Sequence, residues 1–389
     1  MVTPETTERS VCLRGITWNH SRGHLPMVAT AQRFGEMHPG VEIVWEKRSL
    51  QEFADCPIPQ LAERYDLLVI DHPFVGYAAR HRVLLPLDEH LSRDFLEEQN
   101  ENSVGLSFQS YASGGHQWAL AIDAAAPVSS WRPDLLERAK ASVPASWDEL
   151  LDLASFGLVA FPAVPIDALM HFYMLCCALN CEPFSHEGSV VEVEGGARAL
   201  HMLRNLVQRC SLEIRNLNPI ATYEALTAGD TIAYCPFAFG YSNYARKGYA
   251  KHRLQFGDLC LIGKAGRGRS TLGGAGLAIS VACKHRDVVL EYAKFVASSE
   301  CQRTLYVHSG GQPGHRSAWQ DKEPNCVTQN YFRDTLPLLD RAYLRPTYDG
   351  YVPFQYKAAL LVHAFLREGG DPEATVRDIQ ILYERSHSR

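Results

Sequence analysis

Hydrophobic patterning in the first part of the chain predicts strands and helices in alternation. Residues 13–18 and Val41–Arg48 have strand patterns, and residues 25–37 between them have a helical pattern that ends at a Pro-Gly pair. Residues 65–71 form a continuous apolar run, typical of a strand that is buried on both faces. Strands that alternate with helices predict a mainly parallel sheet with helices on its faces.

The segment 117–150 contains the most specific local signals. A predicted strand at 118–122 runs into Asp123, and a bend and a second extended run follow. Ser146 then has the position of a helix N-cap, and Glu149, three residues later, completes a capping box. The segment therefore predicts a crossover from one part of the fold to the next.

The remaining elements are predicted from apolar periodicity and from glycine and proline positions. A strand at 157–161 and helices at 166–179 and 195–210 precede an aromatic segment at 237–244. A glycine-rich strand at 270–280 leads to a helix at 286–298. The last sixty residues have helical patterns, interrupted at 340–353.

Three segments of the sequence resemble those of a known protein family. The crossover at 117–150, the glycine-rich strand at 270–280 and the sequence Ser299-Glu300-Cys301-Gln302 resemble the extracellular solute-binding proteins of ABC importers, in the sugar-type family 1. The resemblance covers roughly residues 12–320. It implies an α/β, two-lobed, periplasmic-binding-protein-like (type II) clamp with a ligand cleft between the lobes. It places lobe 1 at 1–124 plus 272–320 and lobe 2 at 125–271 plus 321–389.

Composition and charge fit a globular binding protein. Hydrophobic residues make up 46% and charged residues 21% of the chain, as in ordinary globular domains. The net charge of −6 gives no basic field for nucleic acid. No apolar run approaches the ~20 residues that a membrane span needs. We therefore expect no nucleic-acid partner and no membrane span.

The beginning of the sequence and its cysteines predict a cytoplasmic location. Residues 1–12 lack the positive start and apolar core of a secretory signal. The eleven cysteines are irregularly spaced, and most lie in apolar runs, as reduced thiols do. The alternative is a periplasmic protein from which a leader was removed.

Candidate ligand-binding residues follow predicted strands or lie in loops. Ligands in open α/β sheets bind beyond the carboxyl ends of the strands, and aromatic faces and paired polar groups suit sugars. The candidates are Trp18, His20, Arg22, Asp71, His72, Asp123, Phe239, Tyr241, Asn243, Tyr244, Gly274, Gln312, His315, Arg316 and Arg345. The arginines and histidines among them keep an acidic ligand open as well, because guanidinium groups match carboxylates.

Motifs for catalysis or metal binding do not emerge from the sequence. Cys176, Cys177 and Cys181 lack the CxxC spacing of a zinc or redox site, and we expect core thiols there. Residues 263–270 lack the residue order of a phosphate loop. We expect no metal and no cofactor. If the protein is an enzyme, His20, His72 and Asp71 are the candidates for acid–base chemistry.

Two functions follow from these observations. The first is a solute-binding protein that closes on a sugar, sugar acid or related carboxylate and passes it to an ABC permease. The second is a cytoplasmic enzyme or ligand sensor that uses the same fold and acts on a small acidic metabolite. The family resemblance favours the first, and the absence of an export signal favours the second.

Overall fold

The computed structural model describes residues 11–50, 52, 58–263 and 268–387. Its contacts divide the chain into two units. Unit 1 comprises Met1–Ser103, Tyr111–Asp123 and Gly274–Ala318, and unit 2 comprises Val104–Ser110, Ala124–Gly273 and Trp319–Arg389. The predicted lobe boundaries at 124, 271 and 320 stay a prediction.

The strands and helices are numbered here in chain order. The strands are β1 (Val11–Trp18), β2 (Val41–Arg48), β3 (Leu67–Ile70), β4 (Ala112–Ser113), β5 (His116–Gln117), β6 (Leu120–Ala125), β7 (Pro127–Trp131), β8 (Tyr234–Phe239), β9 (Gln255–Gly257) and β10 (Gly273–Ile279). The described α-helices are α1 (Ser21–Met37), α2 (Ile58–Ala62), α3 (Val75–His81), α4 (Arg93–Glu101), α5 (Pro133–Arg138), α6 (Trp147–Ser155), α7 (Pro165–Ala178), α8 (Val193–Arg209), α9 (Pro219–Ala228), α10 (Arg286–Ala297), α11 (Ser299–Cys301), α12 (Arg316–Gln320), α13 (Lys322–Val327), α14 (Tyr331–Asp340), α15 (Tyr351–Glu368) and α16 (Pro372–Ser386).

Unit 1 is built on a five-stranded sheet with the order β2-β1-β3-β10-β6. β1 runs parallel to β2 and to β3, so the carboxyl ends of these strands share one edge of the sheet. This confirms the predicted parallel strands. β10 is antiparallel to β3, an orientation that the sequence pattern did not predict.

The core of unit 1 lies between the sheet and helices α1 and α10. Leu13 and Leu67 of the sheet are fully buried, as are Met27 of α1 and Val289 of α10. Tyr292 is also buried, and its hydroxyl lies 2.9 Å from Thr30 Oγ1 and accepts a hydrogen bond of 3.1 Å from Trp45 Nε1. Helix and sheet are therefore joined by polar contacts as well as apolar packing.

Unit 2 combines a three-stranded antiparallel sheet, in the order β8-β7-β9, with several long helices. α7 is apolar on nearly every side and is buried along most of its length, as expected for a helix surrounded by others. It packs against α8 and α15, and α16 packs against α8 and α15 in turn. The predicted helical C-terminal region is confirmed, with its interruption at 341–350.

Two predicted element boundaries and one predicted strand are wrong. The strand placed at 118–122 is β6, which begins at Leu120 and continues to Ala125, so Asp123 lies within a strand and not after it. The strand placed at 157–161 is only an isolated bridge between Val159 and Tyr234. α1 begins at Ser21, four residues earlier than predicted, because His20 caps it.

Local capping signals are confirmed. The Ser146 hydroxyl accepts a hydrogen bond of 3.3 Å from the backbone N–H of Glu149 at the start of α6. The Glu149 carboxylate accepts one of 2.9 Å from the N–H of Ala145, one residue before the cap. Within the 263–270 segment, which lacks the residue order of a phosphate loop, residues 264–267 lie outside the described residues. Among the helices described, none has the length and apolar character needed to cross a bilayer.

Candidate functional site

Two groups of candidate residues follow the parallel strands of unit 1. Trp18 ends β1 and His20 follows it, while Asp71 and His72 follow β3. Because β1 and β3 are parallel neighbours, both groups lie at the same edge of the sheet. This is the edge at which ligands of open α/β sheets bind.

His20 is held by the helix that it caps. Its Nδ1 accepts a hydrogen bond of 3.0 Å from the backbone N–H of Arg22. Burial, and secondarily the positive charge of Arg22, lower the pKa of His20 to about 3. The imidazole is therefore neutral near pH 7, and because Nδ1 is an acceptor, the proton is on Nε2. His20 thus presents a hydrogen-bond donor and is a poor proton acceptor.

Asp71 and His72 form the turn after β3. An Asp71 carboxylate oxygen accepts a hydrogen bond of 2.9 Å from the backbone N–H of His72, and the same oxygen lies 3.2 Å from His72 Nδ1. The Asp71 side chain is 22% exposed, whereas the His72 side chain is only 1% exposed. The His72 ring lies edge-on to Tyr111, with centroids 6.4 Å apart. Asp71 is therefore the more accessible polar group of this turn.

Arg22 and Asp123 form a buried ion pair in unit 1. Arg22 Nε donates to Asp123 Oδ2 at 2.9 Å, and Nη2 donates to Oδ1. Their side chains are 5% and 0% exposed. Burial raises the pKa of Asp123, and the Arg22 guanidinium opposes that rise. The guanidinium also lies 5.9 Å from the Trp18 ring, so the pair and the indole fix the start of α1.

The 310–316 turn packs closely against β6. The backbone N–H of Gly314 donates to Ile122 O at 3.1 Å and to Gln302 Oε1 at 2.9 Å. A Cβ at residue 314 would lie 2.1 Å from Ala121 O, so only glycine fits this approach. Gln312 in the same turn is fully buried.

The side chains of the two residues that follow Gly314 contact other residues of unit 1. His315 Nε2 lies 2.8 Å from Glu98 Oε1, and its Nδ1 lies 2.7 Å from Ser317 Oγ. Arg316 Nε donates to Ser103 O at 3.1 Å. Both side chains therefore tie the turn to the segment around α4.

The aromatic candidates of unit 2 gather at the end of β8. Tyr223 of α9 donates its hydroxyl to Ala238 O and Phe239 O, at 3.1 and 3.2 Å. The Tyr223 ring contacts the rings of Tyr241 and Tyr244, and the Tyr244 hydroxyl donates to Glu224 Oε1 at 2.7 Å. Asn243 is buried in the same short helical turn. Phe239 differs from these residues because its side chain is only half-buried.

Two further candidates lie elsewhere in their units. Arg345 is 4% exposed in unit 2, and its Nη1 donates to Gln355 Oε1 at 2.8 Å. Gly274 lies in the part of β10 that belongs to unit 1 and has a φ of +114°, which favours glycine. As ligand contacts, these and the other candidates stay predictions.

Sequence reasoning did not single out two buried titratable groups of unit 2. Asp167 and His171 lie four residues apart on α7, and both are buried. Burial raises the pKa of Asp167 to about 8 and lowers that of His171 to about 3. The His171 ring packs against Phe237, with centroids 4.4 Å apart. The signal in the sequence is the spacing of two polar residues on one face of an otherwise apolar helix.

Solved structures resemble this chain along nearly its whole length. The maltose-bound MalE3 of T. maritima is 16% identical, covers 96% of this chain and 100% of its own, and has a TM-score of 0.84. A solute-binding protein of an ABC transporter from Thermotoga lettingae TMO, bound to α-D-tagatose, is 16% identical, with coverages of 97% and 99% and a TM-score of 0.82. One from Agrobacterium radiobacter K84, in complex with ribitol, is 17% identical, with coverages of 97% and 99% and a TM-score of 0.79. These likenesses confirm the predicted two-lobed α/β fold class.

The sequence comparisons identify the family. A search of proteins with curated functions finds no match to this chain. The family model described as bacterial extracellular solute-binding protein matches residues 29–329, most of unit 1 and unit 2 together. The match agrees with the resemblance carried by segments 117–150 and 270–280. The chain belongs to the bacterial extracellular solute-binding protein family.

Proposed function

We propose that this chain binds a sugar or a related polyol and delivers it to an ABC permease. The family match over residues 29–329 carries this proposal, because reversible capture of a small molecule is what defines solute-binding proteins. The structural neighbours from T. maritima and A. radiobacter, which hold maltose and ribitol, support a polyhydroxylated ligand. The permease as partner rests on the family alone.

The charges of unit 1 support a neutral ligand over a sugar acid. Arg22 is paired with Asp123, and His315 Nε2 lies against the Glu98 carboxylate. These contacts occupy side chains that were candidates for binding an acidic ligand. Anion recognition by arginine needs a guanidinium fork directed at the anion, and Asp123 already takes two donors of Arg22.

The polar groups at the edge of the unit 1 sheet are of the kinds that hydroxyl recognition requires. His20 supplies an Nε2 donor at the edge of the unit 1 sheet, and the partly exposed Asp71 supplies carboxylate acceptors at the same edge. In unit 2, the half-buried ring of Phe239 offers an apolar face for the C–H surface of a sugar. Each unit by itself therefore offers groups of a kind that carbohydrate recognition uses.

The protonation state of His20 does not support the enzyme alternative. A general base works best with a pKa near the working pH, and the pKa of His20 is lowered to about 3. At neutral pH this imidazole can donate a hydrogen bond but takes up a proton poorly. Together with the family match, this favours binding without turnover.

The compartment is a separate proposal. We propose a reducing compartment, in which the chain would bind its ligand without handing it to an importer. The ten described cysteines are free, and six of them are buried as small apolar side chains, which supports this location. A periplasmic site of action is the alternative, and fractionation of the native host with antibody detection distinguishes the two.

Equilibrium binding tests the proposed function. Thermal unfolding is measured against a panel of neutral sugars, polyols and sugar acids, and hits are titrated by calorimetry. We expect a neutral sugar or polyol to bind and Phe239→Ala to weaken it by ~1–3 kcal/mol, as loss of an anchoring aromatic does. Phe156→Ala is the matched control, since Phe156 is 77% exposed in the same unit and lies outside the candidate set. Preferential binding of sugar acids would contradict the neutral-ligand proposal, and equal losses in both variants would contradict the role of Phe239.

A further inference from the structure

The C-terminal end of α7 brings two thiols together. Asn180 has a φ of +61°, the left-handed conformation that terminates helices. The backbone N–H of Asn180 donates to Cys177 O at 3.2 Å, and that of Cys181 donates to Cys176 O at 3.0 Å. These two bonds define a Schellman motif, in which the residues at the positions of Cys176 and Cys181 make a side-chain contact that is usually apolar.

In this protein the contact joins two cysteines. Cys181 Sγ donates to Cys176 O at 3.2 Å, which places the two cysteines side by side at the end of the helix. Both cysteines are free in the structure. The spacing of five residues is not the CxxC pattern, which explains why sequence analysis predicts only core thiols here. The helix end, and not the sequence motif, creates the pair.

The two thiols differ in accessibility and in acidity. Cys181 is half-buried, whereas Cys176 is fully buried. The hydrogen bond from Cys176 lowers the pKa of Cys181, and burial raises the pKa of Cys176 well above its usual range. Thiolates react with oxidants and thiols do not, so Cys181 is the reactive member. Burial raises the pKa of Cys177, next to Cys176, to about 12, so Cys177 serves as an internal control for the reactivity of Cys181.

Helix α8 keeps the Cys181 sulfur in place. A Cβ at Gly195 would lie 2.6 Å from Cys181 Sγ and 2.7 Å from its Cβ. The glycine therefore leaves room for the thiol against the first turn of α8. With its backbone fixed by the Schellman bonds and its side chain confined by α8, Cys181 has little freedom to move away from Cys176.

We propose that Cys176 and Cys181 are an oxidisable dithiol that a peroxide converts to a disulfide across the end of α7. The Cys181 thiolate attacks one peroxide oxygen, the O–O bond breaks, and Cys181 sulfenic acid and hydroxide form. The Cys176 sulfur then attacks the Cys181 sulfur, the S–O bond breaks, and the hydroxyl group leaves as water with the Cys176 proton. Two thiols are oxidised and one peroxide is reduced to two waters overall.

Peptide mapping of the full chain tests this reaction. Reduced protein is treated with stoichiometric hydrogen peroxide, its remaining thiols are alkylated, and it is digested with trypsin. The peptide that follows Lys140 and ends at Arg198 contains only Cys176, Cys177 and Cys181 as cysteines. We expect this peptide to lose two hydrogens and to keep one alkylated thiol, at Cys177, with full reversal by dithiothreitol.

Three variants assign the roles. Cys177→Ser keeps the two-hydrogen loss, Cys181→Ser abolishes it, and Cys176→Ala leaves a sulfenic acid at Cys181 that a dimedone probe captures. The proposal is overturned if Cys177 enters the disulfide, or if Cys181→Ser is oxidised at Cys176 at the wild-type rate. It is also overturned if the exposed Cys12 and Cys326 are oxidised while the three-cysteine peptide stays reduced.

Discussion

Removing one partner of the Arg22–Asp123 pair is expected to destabilise the protein strongly. The pair joins residues 101 positions apart through two hydrogen bonds, and its side chains are 5% and 0% exposed. Solvent therefore screens the charges little. Asp123→Asn keeps the size of the side chain but leaves the Arg22 charge buried without its counter-ion. Such a loss costs about 3–5 kcal/mol of unfolding free energy.

Urea unfolding at pH 7, followed by tryptophan fluorescence, measures this effect. The slope of free energy against urea must match wild type for the comparison to hold. Glu97→Gln is the control, because it breaks the exposed Arg93–Glu97 pair, whose energy solvent screens, and should leave the unfolding curve unchanged. A double Arg22→Leu, Asp123→Leu variant should recover part of the loss, since no charge is then left buried. An Asp123→Asn curve that matches that of Glu97→Gln would refute the reasoning.

Three further predictions follow from burial and capping. The pKa of Asp167, raised from 3.8 to about 8, means that the folded state holds a proton that the unfolded chain releases, so its contribution to stability falls as pH rises from about 4 to about 8. Above about pH 6.5, where the opposite effect of His171 is complete, that slope approaches about 1.4 kcal/mol per pH unit, and Asp167→Asn should remove it in urea unfolding at pH 6.5–8. The pKa of His171, lowered from 6.5 to about 3, has the opposite effect: its contribution to stability falls as pH drops from about 6.5 to about 3. This offsets the effect of Asp167 between about pH 4 and 6.5, so the stability of His171→Phe should rise as pH drops through that range while wild type stays level. A pH profile that is unchanged in either variant would contradict the assignment. Ser146→Ala should cost ~1 kcal/mol by removing the cap of α6, with Ser155→Ala, at the other end of that helix, as a milder control in the same unfolding assay.

Local sequence signals predicted local structure well. Val41–Arg48 is the strand that its alternation predicts, and Ser146 caps α6 as the capping box predicts. Both depend on interactions within a few residues, which the sequence displays directly. The error at 157–161 has the same origin: a short apolar run shows burial but not whether a partner strand is present.

Contacts between distant residues were not predictable from one sequence. Nothing in the local pattern pairs Arg22 with Asp123, or His315 with Glu98 across 217 positions. From the sequence, Arg22 and His315 were therefore candidates for binding an acidic ligand. In the structure, each of them contacts a carboxylate of the protein itself. The contact between Cys176 and Cys181 was not predicted for a different reason. It depends on the left-handed conformation of Asn180.

The central claim is that this member of the solute-binding family binds its ligand without transforming it. Incubating trace protein with a metabolite extract, beside a heat-denatured control, and following all metabolites by mass spectrometry tests it most directly. The account predicts that one polyhydroxylated metabolite is depleted in proportion to the protein and recovered intact after denaturation. A metabolite consumed far beyond the molar amount of protein, with a new product appearing, would contradict it.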